Sequence, residues 1–397
     1  MKKHNTIAAA VAAALTLFGM SVQAADVKMY GIIDTGIIVE NNHMGKQDSS
    51  VTAREEFGVN LGPRIGLIAN EDLGNGVKVK MQLENLFESD NGTMRFNRLF
   101  GGESSLALLG NFGEVAVGRM GALTSPFGHW GIYGLNATPF GFGWGRAGGV
   151  HWMQGGDRLD NAISYASPKF SNTQLYAQYS FQTGSNPIAG VEEAETNDNN
   201  RRAAVGFKYE GPRLTIVGVF DQIWHPDPST GTSWAGNEDS QLASLTTNFL
   251  IADGMRIYVM GQAFKNFYTV PGTPVYSPVG LIGAANLGAE NKNGINGKGF
   301  DGYVFGISAK INLWGGDLLL TSAYDDFEYK GDVKAGQETG LKRYMLGAAY
   351  EYPISKRTHL YGAVNWSHGS GLFDSDNFDG ENDPNSEQLM FGLTHFF

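Results

Sequence analysis

Apolar and polar residues alternate with a period of two along most of the chain. Over 303–313, Tyr303, Phe305, Ile307, Ala309, Ile311 and Leu313 share one face, and Gly306, Ser308, Lys310 and Asn312 share the other. Over 77–87, Val77, Val79, Met81, Leu83 and Phe87 oppose Lys78, Lys80, Gln82 and Glu84. The same pattern sets Leu175, Ala177, Tyr179 and Phe181 against Gln174, Gln178 and Ser180. Successive side chains leave a strand on opposite sides, so this period predicts strands with one greasy and one wet face. Sixteen are predicted, near 26–41, 57–70, 76–89, 97–110, 113–120, 158–168, 172–183, 201–210, 213–224, 240–251, 254–268, 300–313, 316–329, 341–352, 357–368 and 387–397.

The joins between these strands are of two kinds. Those at 71–76, 110–113 and 252–254 are tight and rich in Gly, Asn and Asp, whereas 184–200, 225–239, 269–299 and 369–386 are long and polar. Short turns at one end and long loops at the other are the arrangement of a transmembrane β-barrel. Lipid offers backbone amides no hydrogen bonds, so strands cross it only as a sheet closed on itself. A soluble sandwich or propeller is the competing fold, and its apolar faces would need a second sheet to cover them. Aromatics near the ends of the apolar faces, at Tyr30, Phe181, Tyr209, Tyr303 and Tyr352, favour lipid instead.

Composition agrees. Gly accounts for 55 of 397 residues and aromatics for 12 %, against an ordinary glycine share of about 7 %. The longest uncharged run, 120–145, holds seven Gly and two Pro, which excludes a lipid-spanning helix. Residues 1–24 read as a removable export signal, with Lys2 and Lys3, an apolar stretch over 7–20 and the small-residue site Val22-Gln23-Ala24. Without those two lysines the net charge moves from −11 to −13, which argues against a nucleic-acid partner. There is no cysteine, so neither disulfides nor thiolate metal sites exist. Residues 25–397 are expected to form one all-β, antiparallel barrel. Its last strand ends on Phe391, Leu393 and Phe397, an alternating aromatic terminus of the kind barrel-assembly machinery reads.

Several segments then resemble one family, the trimeric Gram-negative general porins of the betaproteobacterial and neisserial branch. Residues 29–34 (MYGIID) are similar to its first strand, and 64–74 (RIGLIANEDLG) to its second strand and turn. Residues 82–84 (QLE), 112–119 (FGEVAVGR) and 158–168 (RLDNAISYASP) follow in the family's order and spacing. The resemblance implies sixteen strands, three barrels per assembly and a third long loop, about 121–157, folded into the lumen as a constriction. It implies an outer-membrane channel for small hydrophilic solutes and ions, surrounded by lipid and lipopolysaccharide and needing no cofactor or metal. By resemblance, Arg64 and Arg158 match two rungs of a basic wall ladder. A third rung is missing at Gly102, and Arg98 stands four residues earlier on the same face.

No Asp or Glu occurs from 115 through 156, so the loop brings no carboxylate to oppose that ladder. It carries Phe127, Trp130, Tyr133, Phe140, Phe142, Trp144 and Trp152 instead. These rings either pack the loop against the wall or line the pore and stack on sugars. Arg119 either joins the ladder or pairs with a wall carboxylate such as Glu84. Arg146 and His151 complete the loop's polar candidates. Charge beyond about 8 Å is screened by physiological salt, so a constriction rich in Arg64, Arg98, Arg119, Arg146 and Arg158 predicts weak anion preference despite the acidic chain. A saccharide or organic-anion channel is the nearest alternative, and an enzyme or adhesin on a barrel scaffold the more distant one. His129 and His151 lack acidic neighbours at metal-ligand spacing, and Ser367-His368 lacks the rest of a catalytic triad.

Overall fold

The computed structural model describes residues 26–44, 47–141, 143–145, 153–156, 158–183, 200–225, 238–267, 299–330, 339–371 and 385–397. The predicted export signal lies outside them. The wall begins with β1 (Asp26–Met44), β2 (Gln47–Phe57), β3 (Arg64–Gly74), β4 (Val77–Leu86), β5 (Glu103–Gly110) and β6 (Gly113–Gly121). It continues with β7 (Arg158–Ala166), β8 (Thr173–Ser180), β9 (Arg201–Glu210), β10 (Leu214–Trp224), β11 (Ser240–Ala252) and β12 (Met255–Phe267). The last five are β13 (Phe300–Leu313), β14 (Gly316–Tyr329), β15 (Gly340–Pro353), β16 (Thr358–Gly371) and β17 (Asn385–Phe396). Apart from β2 and β3, which both pair with β1, each strand pairs antiparallel with its sequence neighbours, and β1 pairs with β17 to close the ring.

Seventeen segments make a sixteen-position wall because β2 and β3 share one place in it. Residues Asp26–Ile32 of β1 pair with β3, and Thr35–Met44 pair with β2. Between the two halves, 58–63 leaves the ladder. Gly58 sits at φ +63°, and Pro63 has no N–H to offer a neighbour. This differs from the single strand predicted at 57–70. β2 (QDSSVTAREEF) lacks the apolar face that would have marked it as a strand. The fifth strand likewise starts at Glu103 rather than near 97, after a 3₁₀ turn at Arg95–Asn97.

Alternation survives intact in the long strands. Leu245, Tyr303, Phe305, Ile307, Leu320, Val364 and Phe391 are exposed on the outer face. Between them Ser244, Val304, Ser308, Thr321, Asn365 and Gln388 are buried on the inner one. Among the described residues no helix is long and apolar enough to cross a membrane. Each of β13–β16 has 14 residues, which at about 3.3 Å per residue and a tilt near 45° spans roughly 30 Å.

The seam between first and last strands is bonded to the last residue. Phe397 N donates to Gly31 O at 3.0 Å, and Gly31 N returns a bond to Phe397 O at 3.0 Å. The Phe397 ring lies across Gly31, where any Cβ would stand 2.1 Å from its Cζ. Phe391 pairs with Ile37 and Leu393 with Thr35 in the same seam. Deeper in it, the buried Asp34 carboxylate accepts hydrogen bonds from Asn60 N at 3.1 Å, Tyr361 OH at 2.9 Å and Thr394 Oγ1. One side chain thus ties β1, the 58–63 break, β16 and β17 together.

Asp34→Ala leaves three buried donors without an acceptor and is expected to cost roughly 3 kcal/mol or more. Urea unfolding in micelles, followed by gel mobility of the intact barrel, reads this; an unchanged midpoint contradicts the role. A second prediction concerns His225, just past β10, whose Nδ1 lies 3.0 Å from Asn200 Oδ1 and Nε2 2.9 Å from Ser240 Oγ. Burial pushes its pKa down to about 4, against about 6.5 when unfolded. The unfolded chain therefore binds the proton more tightly, and the stability contributed at pH 7 is lost as pH falls from 6.5 through 4. The urea midpoint should drop over that window, and drop less in His225→Gln.

Candidate functional site

The predicted ladder residues converge on one arc of the inner wall, from β3 to β7. Arg64 opens β3, its Nη1 3.5 Å from Glu84 Oε1 on β4 and its Nε donating to Gly62 O at 3.0 Å. Arg98, ahead of β5, and Arg119 on β6 both reach Asp160 Oδ1, at 2.8 and 2.6 Å. Arg158 opens β7 with its guanidinium 3.7 Å from the centre of the Phe127 ring. It lies within electrostatic range of Glu84 and of Arg64, Arg95 and Arg119. Arg95, which sequence reading missed, joins the arc from the 3₁₀ turn and stacks on Phe57 at 4.9 Å. Its turn has no strand periodicity to assign it a face. Five guanidiniums thus gather here: Glu84 and Asp160 form the ion pairs, Glu56 and Glu88 lie within electrostatic range of Arg95, and Glu103 within range of Glu84.

Two local irregularities aim these charges. Strict alternation puts Arg119 on the outer face with Val115 and Val117. The register shifts between Gly118 and Met120, where Gly118 has φ +123° and a Cβ would meet Ser104 O at 2.1 Å. This bulge turns Arg119 onto Asp160 and onto Gly101 O, which its Nε reaches at 2.9 Å. Arg119 therefore pairs with Asp160 rather than with Glu84. The missing rung at Gly102 also has a steric cause: a Cβ there would lie 2.4 Å from Glu84 Oε1. Glu84 occupies the space a longer side chain would need, and also accepts from Tyr30 OH at 3.0 Å.

The connection between β6 and β7 is the long third loop of the sequence reading, and its described part runs along the inner faces of distant strands. Leu123 N donates to Gln178 Oε1 on β8 at 3.1 Å. Arg202 on β9, in a buried ion pair with Asp221, donates to Thr124 Oγ1 at 2.6 Å. Tyr133 OH donates to Gly261 O on β12 at 3.1 Å. Asn136 O, in the helical turn Gly134–Ala137, accepts from Thr246 Oγ1 and Asn248 Nδ2 of β11 at 3.3 and 3.1 Å. Gln154 N donates to Gln262 Oε1 at 2.7 Å, and Asn365 Nδ2 on β16 donates to Trp144 O at 3.0 Å.

Its aromatics serve this attachment. Trp130, Tyr133, Phe140 and Trp144 are fully buried, and Trp144 meets Tyr361 edge-on at 5.2 Å. Rings packed in this way present no face for a sugar, so they anchor the loop. Burial also raises the Tyr133 phenol's pKa, which keeps it a neutral donor. Phe142, Arg146, His151 and Trp152 lie outside the described residues. His129 meets Glu114 of β6, Nε2 to Oε1 at 3.1 Å.

Known proteins share this architecture. The Gram-negative porin family model matches residues 8–372. The chain is 33% identical over 370 residues to outer membrane porin protein 32 of Delftia acidovorans, covering 86% of this chain and 98% of that one. It is 34% identical over 363 residues to the major outer membrane protein P.IB of Neisseria gonorrhoeae, covering 90% and 92%. In fold it is similar to the anion-selective porin from Comamonas acidovorans, with TM-score 0.65, 19% identity and coverage of 94% and 100%. A closed ring of sixteen strands, apolar outside and polar inside, and matched in sequence almost end to end, places the chain in the Gram-negative porin family, a passive-diffusion channel of the outer membrane.

Proposed function

We propose that this porin passes small hydrophilic solutes with a weak preference for anions. The segment 121–157 would narrow the lumen opposite the arginine arc. The observation that carries the reading is the charge imbalance on that arc. Arg64, Arg98 and Arg119 share the two carboxylates of the arc's ion pairs, Glu84 and Asp160, while Arg158 has no carboxylate within salt-bridge distance among the described residues and Arg95 meets Glu56 and Glu88 only at longer range. A passing anion thus meets more guanidinium than paired carboxylate at close range, and charge more than about 8 Å away is screened. The attachments of the loop to β8, β9, β11, β12 and β16 support its place across the lumen.

Assembly into three copies belongs to the same reading. β5, β7 and β8 have 8, 9 and 8 residues, which at about 3.3 Å per residue and a 45° tilt cover only roughly 20 Å of bilayer. Their exposed apolar residues, including Leu106, Leu108, Ile163 and Leu175, form a low wall that a neighbouring barrel would cover better than lipid.

Reversal potentials in a KCl gradient across a planar bilayer are expected to show chloride favoured over potassium; a clear cation preference contradicts the assignment. Arg98→Gln, at the most accessible of the three ion-paired guanidiniums, should lower the chloride-to-potassium permeability ratio. A change of about two- to threefold is expected, the Boltzmann weight of one charge roughly 7 Å away in water, screened over about 8 Å and acting with opposite sign on the two ions. Asp160→Asn should raise the ratio by a similar factor, because it removes the shared counter-charge of Arg98 and Arg119. Equal ratios in all three proteins would remove the arc from the mechanism.

A further inference from the structure

The loop corner at 127–130 touches the arginine arc on one side and the short-turn end of the wall on the other. Phe127 N donates to Ser125 Oγ at 3.2 Å and Gly131 N to Phe127 O at 3.2 Å, so the corner is a turn closed by its own bonds. It lays the Phe127 ring against Arg158, 3.7 Å from guanidinium to ring centre. It also sets His129 against β6, where Nε2 lies 3.1 Å from Glu114 Oε1. Glu114 directly follows the tight turn at 110–113. The two contacts are two residues apart in the chain.

Charged groups face His129 from three strands. Glu114 on β6 is its direct partner, Glu103 on β5 lies within electrostatic range of it, and Lys80 on β4 lies within range of both carboxylates. Gly128 allows the close approach to Glu103: its φ is +60°, and a Cβ there would stand 2.8 Å from Glu103 Oε2. Behind the imidazole the Trp130 ring lies 4.8 Å away, fully buried and edge-on to Tyr176 of β8, whose hydroxyl donates to Gln174 Oε1 at 2.7 Å. The His129 side chain itself is 39% exposed, so its proton exchanges with solvent.

Histidine is the side chain that changes charge between about pH 5 and 8. Protonated, an imidazole meets a carboxylate through a charge-assisted bond roughly twice as strong as the neutral one. We propose that His129 is a positioning residue of the arginine arc. With its proton it pins the 127–130 corner to Glu114 and keeps the Phe127 ring against Arg158; without it the corner loosens and Arg158 loses its fixed seat. Anion preference is then strongest on the acid side of neutrality. This inference rests on the reading of the arc as the element that discriminates ions, and adds to it a residue that touches no guanidinium and acts through the turn between His129 and Phe127.

The test is the chloride-to-potassium permeability ratio of the full-length protein in planar bilayers, with both sides at about pH 5.5 and then at about pH 8.5. The wild type is expected to lose about twofold in that ratio over the rise, and His129→Gln to lose the step. A bare extra charge on His129 would also favour anions in acid, so two variants that keep His129 separate charge from positioning. Glu114→Gln removes its partner and Phe127→Leu removes the seat of Arg158; both should flatten the profile, with heat-modifiable gel mobility showing that each barrel is closed. A flat wild-type profile, or a wild-type profile in His129→Gln, overturns the proposal. So does a pH step that survives in Glu114→Gln and Phe127→Leu. Arg98→Gln leaves the corner whole, so a failure of the arc reading shows in that variant at a single pH and not in the pH profiles.

Discussion

Hydrocarbon accepts no hydrogen bonds, and every feature of this wall follows from satisfying backbone amides without water. A sheet meets that constraint only when its first strand finds its last. Here β1 pairs with β17, β2 and β3, more partners than any other strand has. The chain ends where the ladder ends, on Phe397 bonded to Gly31. Asp34 adds a polar tie at the seam, joining four parts of the chain through one carboxylate. A buried charge is tolerable there because its donors are already in place.

Closure also creates the space in which the third connection sits. A long segment attached to inner walls faces a problem of polarity: those walls carry Gln178, Asn248, Gln262 and Asn365, not an apolar surface. The segment answers with backbone carbonyls and amides that meet these side chains one to one. Its own rings pack mostly against one another and against the few aromatics the wall provides, such as Tyr361 and Tyr176.

The arc shows how backbone irregularity sets electrostatics. Arg119 enters the cluster through a bulge at a glycine, and Glu84 fits beside Arg64 because position 102 has no side chain. Both are small departures from ideal strand geometry, and both place a full charge. Departures from regularity at this arginine arc fit the general tendency of bulges to cluster beside functional sites.

The sequence by itself determined the strands, the closure and the location. Period-two patterning is local, and the demand that lipid meet only apolar atoms writes it into each of β11–β17 within three residues of the observed bounds. Resemblance to the porin family, not periodicity, pointed to the third connection at about 121–157 and to Arg64, Arg98, Arg119 and Arg158. Tertiary structure alone decided what these residues touch. β2 escaped notice because neither of its faces is clearly apolar, so no periodic signal exists. Arg95 was invisible for the same reason. The partner of Arg119 depends on a one-residue register shift, and the burial of Trp130 and Tyr133 on strands more than forty residues away in sequence. Contacts between distant segments are fixed only once the ring has closed, and no local pattern carries them.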